Sequence, residues 1–332
     1  MKKAPTLLAI GVILVLFFSL STGQFGISYE KVFHILLHPF NNKDLANEII
    51  WKIRMPRILL AFFAGSALSL AGASLQGLFH NPLVDPHIIG VSSGAAFGGA
   101  LAILLGLSSF YLLGLAFAFG FLALVLVYSL ASVFEGDRRL MLILAGIILA
   151  GVFTALVSLI QYKADTEEIL PNIVFWLLGS FATSSWHKFF LLFIPVFIFG
   201  TLLLKLRWRV NILSLEEQDA NSLGLNVKNL RRFILFICAI LTAAQVSVSG
   251  NIAWVGLVVP HLARLLVGPS HEKLLPYSFV LGGIFMVLVD DLARSITSAE
   301  IPIGIITALF GAPIFVFLLI YKQKKEKNVK QA

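Results

Sequence analysis

The fold is decided by the stretch 58-ILLAFFAGSALSLAGASLQGLF-79, which runs for 22 residues without a charged side chain. A helix of about 20 apolar residues is long enough to cross the roughly 30 Å hydrocarbon core of a bilayer. Of the 332 residues, 58% are hydrophobic and 13% are charged, against about 25% charged in soluble domains. The sequence therefore predicts an all-α polytopic membrane protein and excludes a sizeable water-soluble catalytic domain.

Nine further apolar segments have comparable character, which predicts about ten transmembrane helices in a single domain, 1–332. An even number of crossings places both termini on one side, taken here as the cytoplasm. The predicted spans are about 5–23, 58–79, 88–107, 111–133, 140–161, 188–204, 233–249, 252–267, 275–293 and 303–321.

The distribution of basic residues supports this orientation. With cytoplasmic termini, the inner segments hold 17 of the 25 Lys and Arg residues and the outer segments hold eight. Cytoplasmic loops of membrane proteins carry such an excess. The net charge of +8 is thereby explained without a nucleic-acid partner.

The spans 58–79 and 88–107 are crowded with Gly, Ala and Ser. Small residues let helix backbones approach closely in lipid. Two compatible interpretations stay open: tight packing of the bundle, or a path for a large solute lined by backbone.

The sequence carries no signature of catalysis. It has no GxxxxGK[ST] phosphate loop, no HExxH and no GxSxG, so no catalytic or metal residues are assigned. The single Cys238 excludes an intramolecular disulfide. Asp290, Asp291 and Glu300, near an outer loop, are the candidates for a proton or sodium relay. They keep open the alternative of an ion-coupled secondary transporter.

The longest inner connection, 205–232, contains a predicted short helix. Ser214 can cap its start, Glu217 completes a capping box and Gly224 can end it. A capped amphipathic helix on the cytoplasmic face is suited to binding a soluble partner, and a helix lying on the membrane surface is the alternative.

Seven stretches together resemble the permease subunits of ATP-driven importers for iron-siderophore, haem or cobalamin, the BtuC/FecCD-type permeases. They reach from residue 54 almost to the C-terminus, and their combination is specific. They are RMPRILLAFFAGSALSLAGASLQGLFHNPLVDPHIIGVSSG at 54–94, LAG at 144–146, FWLLGS at 175–180, LSLEEQDANSLGLNV at 213–227, WVGLVVPHLARLLVG at 254–268, DDLAR at 290–294 and EIPIGIITALFGAPIF at 300–315.

The resemblance implies a BtuC-like permease fold that works as a homodimer in the bacterial inner (plasma) membrane. It implies two cytoplasmic ATPase subunits, which use ATP and Mg²⁺, and a periplasmic or lipid-anchored binding protein. This chain itself is expected to be non-catalytic and to bind no cofactor. An iron-siderophore complex is the expected cargo, with haem, cobalamin or a molybdate-type oxyanion as alternatives. A short outer helix is expected within 166–185.

The resemblance also implies three groups of site residues. The topology places three arginines at the outer face, where the family's arginines meet acidic residues of the binding protein; lipid anchoring, or pairing of Arg294 with Asp290 or Asp291, is the alternative. Cytoplasmic gates are expected at the turn after the second span and at the start of the fifth. Helix 214–224 is expected to contact the ATPase. The residues are Arg54, Arg57 and Arg294 for docking; Asn81, Pro82, Leu83, Arg139 and Leu140 for the gate; and Glu216, Asp219, Ala220, Leu223 and Gly224 for coupling.

Overall fold

The computed structural model describes residues 4–39, 44–213, 220, 222, 224, 226–297 and 299–331. All regular secondary structure in these ranges is helical, as the all-α prediction requires. In chain order the helices are α1 (Ala4–Ser21), α2 (Tyr29–Leu37), α3 (Leu45–Glu48), α4 (Met55–Leu78), α5 (Val91–Leu104), α6 (Ser109–Val133), α7 (Arg138–Lys163), α8 (Ile169–Leu177), α9 (Trp186–Pro195), α10 (Thr201–Lys205), α11 (Arg207–Leu213), α12 (Val227–Ser249), α13 (Val255–Val267), α14 (His271–Ser295) and α15 (Ile303–Gln331).

Each predicted span falls on a helix. Six helical stretches are long and apolar enough to cross a membrane: Leu45–Leu78, Ser109–Val133, Arg138–Lys163, Trp186–Lys205, Val227–Ser249 and His271–Ser295. The other four predicted spans coincide with shorter apolar helices, Thr6–Ser21, Val91–Leu104, Val255–Val267 and Ile303–Leu318. The count of ten complete crossings therefore stays a prediction.

Two predicted spans are shorter than expected because left-handed residues interrupt them. Helix α5 begins only after Gly90 (φ 73°), and α13 only after Trp254 (φ 74°). These helices have 14 and 13 residues, or roughly 20 Å at 1.5 Å per residue, which is less than the bilayer core. Irregular backbone at membrane depth occurs where protein surrounds it or where it lines a cavity.

Helix α4 is the central helix of the bundle. In the stretch Leu45–Leu78, 89% of the most apolar window is buried, against 28% for Arg138–Lys163. A Cβ atom on Gly65 would overlap the carbonyl oxygen of Gly282 in α14, and one on Gly72 would overlap that of Gly256 in α13. The small residues therefore serve close packing of helix backbones, which favours the first of the two interpretations.

The outer segment before α4 is also helical. A π-helical stretch, Ile49–Arg54, joins α3 to α4, so that the helix is continuous from Leu45 to Leu78. Pro56 lies in the first turn of α4 proper, where proline is favoured. Arg54 and Arg57 therefore lie within a long helix and not at its exposed end. Helix α8, Ile169–Leu177, occupies the region where the short outer helix was expected.

Candidate functional site

The end of the bundle that is predicted to face outward, called the outer end below, contains a group of charged side chains that we call the outer ion cluster: Arg57, Asp290, Asp291, Arg294 and Glu300. All of them are buried except Glu300, which is partly exposed. The Nε and Nη2 atoms of Arg57 donate to the Asp290 carboxylate at 2.8–3.1 Å, and its Nη1 and Nη2 donate to Glu300 at 2.8 and 3.0 Å. One guanidinium thus joins α4 to α14 and to the residues just before α15. Bidentate pairs of this kind fix geometry as well as charge.

The cluster also holds the end of the first helix. Arg294 Nη2 donates to Asp291 at 2.5 Å and to the Ser19 carbonyl at 2.6 Å, while Ser19 Oγ donates to Asp291 at 2.6 Å. Arg54 donates to the carbonyl oxygens of Leu20, at 2.6 Å, and Phe25. The C-terminal end of α1 is therefore tied to the π-helical stretch before α4 and to α14 by charged hydrogen bonds.

The three predicted docking arginines are not exposed. Arg54, Arg57 and Arg294 keep 4%, 7% and 5% of their surface accessible, and internal partners take up their donors. Their carboxylate and carbonyl partners lie within the same chain, and their role in docking the binding protein stays a prediction. The alternative pairing of Arg294 with Asp291 is present, with a longer contact to Asp290 at 3.8 Å.

At the opposite end, the predicted gate turn follows α4 directly. The side-chain oxygen of Asn81 accepts a hydrogen bond from the backbone of Leu83 at 2.9 Å, which folds the turn over Pro82. The Nε2 of His261 in α13 contacts the Pro82 carbonyl oxygen at 2.9 Å. Pro82 and Leu83 are exposed. The turn is thus held in a fixed shape with its apolar tip accessible.

The two predicted gate regions meet through His80, a residue that sequence analysis did not assign to the gate. Arg139, at the start of α7, donates from Nη1 to His80 Nδ1 at 2.9 Å. The other ring nitrogen, Nε2, lies 2.5 Å from the Leu213 carbonyl oxygen. Because a guanidinium only donates, the two contacts fit the neutral imidazole with its proton on Nε2. Leu140, next to Arg139, is exposed and makes no such link.

His80 thereby connects the gate to the segment predicted to contact the ATPase. Leu213 is the last residue of α11 and immediately precedes the predicted coupling helix. The sequence signal for His80 was present in the His-Asn-Pro run at the end of α4, where a helix must stop and a polar side chain can turn back. Its backbone has φ 52°, an unusual value for a residue other than glycine.

The coupling residues are only partly visible. Glu216, Asp219 and Leu223 lie outside the described residues. Ala220 is buried in the chain's own core, with 1% of its surface accessible. Apolar residues of this chain cover its side chain, and its expected contact with the ATPase stays a prediction. Gly224 has φ 78°, and a Cβ atom added to it would meet no atom within 4 Å, as suits a glycine that ends a helix.

A second polar contact missed by sequence analysis joins the two interrupted spans. The ring of His87, just before α5, lies between Asp85 Oδ1 at 2.5 Å and Asn251 Oδ1 at 2.6 Å. Asn251 belongs to the irregular connection between α12 and α13. Breaks in transporter helices often form solute or ion sites. Pro82 and Pro86 precede the break before α5, but nothing local in the sequence indicates that His87 meets Asn251.

Comparison with known proteins agrees with this architecture. The FecCD transport family matches residues 11–321. The molybdate import system permease protein MolB of Haemophilus influenzae is 49% identical over 310 residues, which cover 92% of each protein. The cobalamin import system permease protein BtuC of Halobacterium salinarum is 41% identical over 284 residues, 84% of this chain and 75% of that protein.

A solved structure, described as an inward-facing conformation of an ABC transporter of the metal-chelate type, superposes with a TM-score of 0.88. Its sequence is 47% identical, and the superposition covers 97% of this chain and all of that one. The chain belongs to the FecCD transport family: it is a permease of the ABC importer type and a multi-pass protein of the bacterial inner membrane.

Proposed function

We propose that two copies of this chain form the translocation path of an importer driven by two separate ATPase subunits and supplied by a substrate-binding protein. The observation that carries the proposal is the family match over residues 11–321, together with the permeases that are similar over nearly the whole chain. The chain itself is then non-catalytic, and ATP and Mg²⁺ are used by the partner ATPase.

The test is uptake into liposomes that contain the permease with its ATPase. We expect uptake of cargo delivered by the binding protein when ATP is enclosed with the ATPase, and no uptake with an ATPase that cannot hydrolyse ATP. Uptake driven by a proton or sodium gradient without ATP would instead support the ion-coupled alternative.

For the cargo we propose a molybdate-type oxyanion, which departs from the iron-siderophore complex expected from sequence. The support is the 49% identity to a permease named for molybdate import. A metal chelate is the second candidate, favoured by the 47% identity to a transporter of metal-chelate type. Exposed Lys163, at the end of α7, suits the anionic character of both.

Uptake by a strain that lacks the permease gene distinguishes the two cargoes. Radiolabelled molybdate and a ferric siderophore are supplied to a strain in which the chromosomal permease gene is deleted and restored on a plasmid. Loss of molybdate uptake alone in the deletion strain supports the oxyanion. Loss of siderophore uptake alone contradicts it.

For the mechanism we propose that Asn81, Pro82, Leu83 and Arg139 form the cytoplasmic gate and that the segment around Glu216, Asp219, Leu223 and Gly224 contacts the ATPase. Movement of that segment would reach the gate through Leu213, His80 and Arg139, which are joined by the two contacts of the imidazole. Leu140 remains a proposed gate residue by its position alone.

The variant that tests this link is His80→Phe, with His80→Gln as its matched control, since glutamine can still donate and accept. We expect His80→Phe to lower uptake at least fivefold while basal ATP hydrolysis by the complex continues, and His80→Gln to retain more of the uptake. If both variants transport at the parental rate, His80 does not couple the segment to the gate.

A further inference from the structure

A basic cavity of about 560 Å³ lies at the inner end of the bundle. It is formed by the start of α7 and the first turns of α12, with Tyr128 of α6 at its wall. Five of its lining residues are cationic: Arg138, Arg139, Lys228, Arg231 and Arg232. Among the described residues, Asp137 is the one carboxylate that lines it, and it already accepts the backbone N–H of Arg139 at 2.8 Å as a helix cap. The cavity therefore holds a large excess of positive charge.

The protein holds these cations in defined positions. The guanidinium carbons of Arg138, from α7, and Arg232, from α12, lie 4.9 and 5.5 Å from the centroid of the Tyr128 ring. Arg138 also donates to the Ala131 carbonyl at 3.1 Å. Arg231 is buried at the cavity wall, with 6% of its surface accessible. Cations kept this close together repel one another unless an anion lies between them.

An apolar groove of about 480 Å³ continues from this cavity along α6 and α12. Tyr128, Arg232 and Leu235 line both spaces. The groove is otherwise lined mainly by Phe and aliphatic side chains such as Phe233, which is 41% exposed. The basic cavity thus opens directly onto the apolar groove at the residues that line both spaces.

We propose that this composite site binds one anionic phospholipid of the inner leaflet, with its phosphate in the basic cavity and an acyl chain along the groove. Charge complementarity selects an anion, and the adjoining apolar groove selects one that carries a hydrocarbon chain. Basic pockets between transmembrane helices on the cytoplasmic side are suited to anionic lipid head groups. The site is separate from the outer ion cluster and from the turn 81–83, but it shares Arg139 with the proposed gate.

The experiment is native mass spectrometry of the delipidated full-length protein, titrated with phosphatidylglycerol or with phosphatidylcholine of the same chains. We compare the parent with Lys228→Gln/Arg232→Gln, which changes two exposed cavity residues. The matched control is Arg207→Gln/Arg209→Gln, which removes the same charge from exposed positions of α11 outside the cavity.

We expect the cavity variant to weaken phosphatidylglycerol binding roughly 30-fold, since each basic residue near the surface contributes about fivefold. The control should change it less than twofold, and phosphatidylcholine should bind the parent weakly. Phe233→Gln should weaken lipid binding while leaving any binding of soluble glycerol phosphate unchanged. Equal losses in the cavity variant and the control would overturn the proposal, because the interaction would then be a general effect of charge.

Two further outcomes also contradict the proposal. If inorganic phosphate or molybdate at millimolar concentration displaces the bound species and lipid adds nothing, the cavity is a site for a soluble oxyanion. If the purified ATPase protects Lys228 and Arg232 from modification and excludes no lipid, the cations face the ATPase. Neither test requires transport, so the result is independent of the proposed function.

Discussion

The two ends of this molecule use arginine in opposite ways. At the outer end, Arg57 and Arg294 are buried and each is paired with carboxylates of the same chain. At the inner end, Arg138, Arg139 and Arg232 surround a cavity whose described lining residues include one carboxylate. The outer charges pair with carboxylates of the same chain and fix the fold. The inner arginines contact neutral groups: the Ala131 carbonyl, the His80 ring and the Tyr128 ring. Basic residues near a membrane surface therefore cannot be assigned a role from their position alone.

The largest effect is expected where the outer ion cluster is broken from one side. Asp290→Asn would leave buried Arg57 with Glu300 as its remaining carboxylate partner, and we expect a loss of about 3–5 kcal/mol in the free energy of unfolding. Reaction of the buried Cys238 with a thiol-specific fluorophore during heating would report the unfolding.

The control is Glu48→Gln, which removes the exposed ion pair between Glu48 and Lys52. The Glu48 side chain is 58% accessible and the Lys52 side chain is 70% accessible. This substitution should change stability by about 0.5 kcal/mol or less. Equal melting temperatures for Asp290→Asn and Glu48→Gln would show that the cluster does not stabilise the outer end.

A smaller effect is expected from the packing beneath the cluster. Gly65→Ala would push a methyl group into the Gly282 carbonyl and separate α4 from α14, at a cost of about 1–3 kcal/mol. The matched control is Gly151→Ala in α7, where no atom lies within 4 Å of the added carbon. The same thiol assay checks both variants. Tolerance of Gly65→Ala would mean that ion pairing alone sets the helix separation.

At the inner end, removal of one cation should matter little to stability. Arg232→Gln loses the contact with the Tyr128 ring, and we expect a loss of about 0.5 kcal/mol, as for exposed cation–π pairs. The control is Lys205→Gln, which changes an exposed basic residue that does not line the cavity. A loss well above that of the control, about 2 kcal/mol or more, would show that the inner cations are structural like those of the outer cluster.

The smallest effect is expected at the exposed outer pair Lys31–Asp44, at 2.5 Å. The hydrogen bond from Lys31 lowers the pKa of Asp44 below its usual 3.8. The contribution of this pair to folding stability is therefore fully present above pH 3.8, the usual pKa of the carboxyl. It is lost as the pH falls through the lower pKa that Asp44 has in the folded protein. Lys31→Met should melt slightly below the parent at pH 7 and low salt, and the difference should vanish in about 0.5 M salt or in strong acid. If the difference in melting temperature between Lys31→Met and the parent grows on acidification, the pair does not stabilise the folded protein in the way proposed.

The positions of the helices could be predicted from sequence because a long uncharged run such as 58–79 has few other structures available to it in a membrane. The burial of Arg57 could not, because its partner Asp290 is 233 residues away and both residues look like span ends. The interruption before α13 was also hidden, since Trp254 adopts a left-handed conformation that its side chain disfavours. The gate regions followed from the resemblance, but their link through His80 depends on a contact between elements that no local pattern records.

The tie between Ser19 and Asp291, 272 residues apart, has a consequence for biosynthesis. The ribosome delivers α1 first, and Arg54 and Arg57 follow long before the carboxylates of α14 exist. Until then these arginines have no counter-charge in the bilayer and are expected to stay at the water interface. The outer end can therefore close only in the last stage of membrane insertion. Nascent chains that stall before residue 290 should remain open there and be exposed to membrane quality-control proteases.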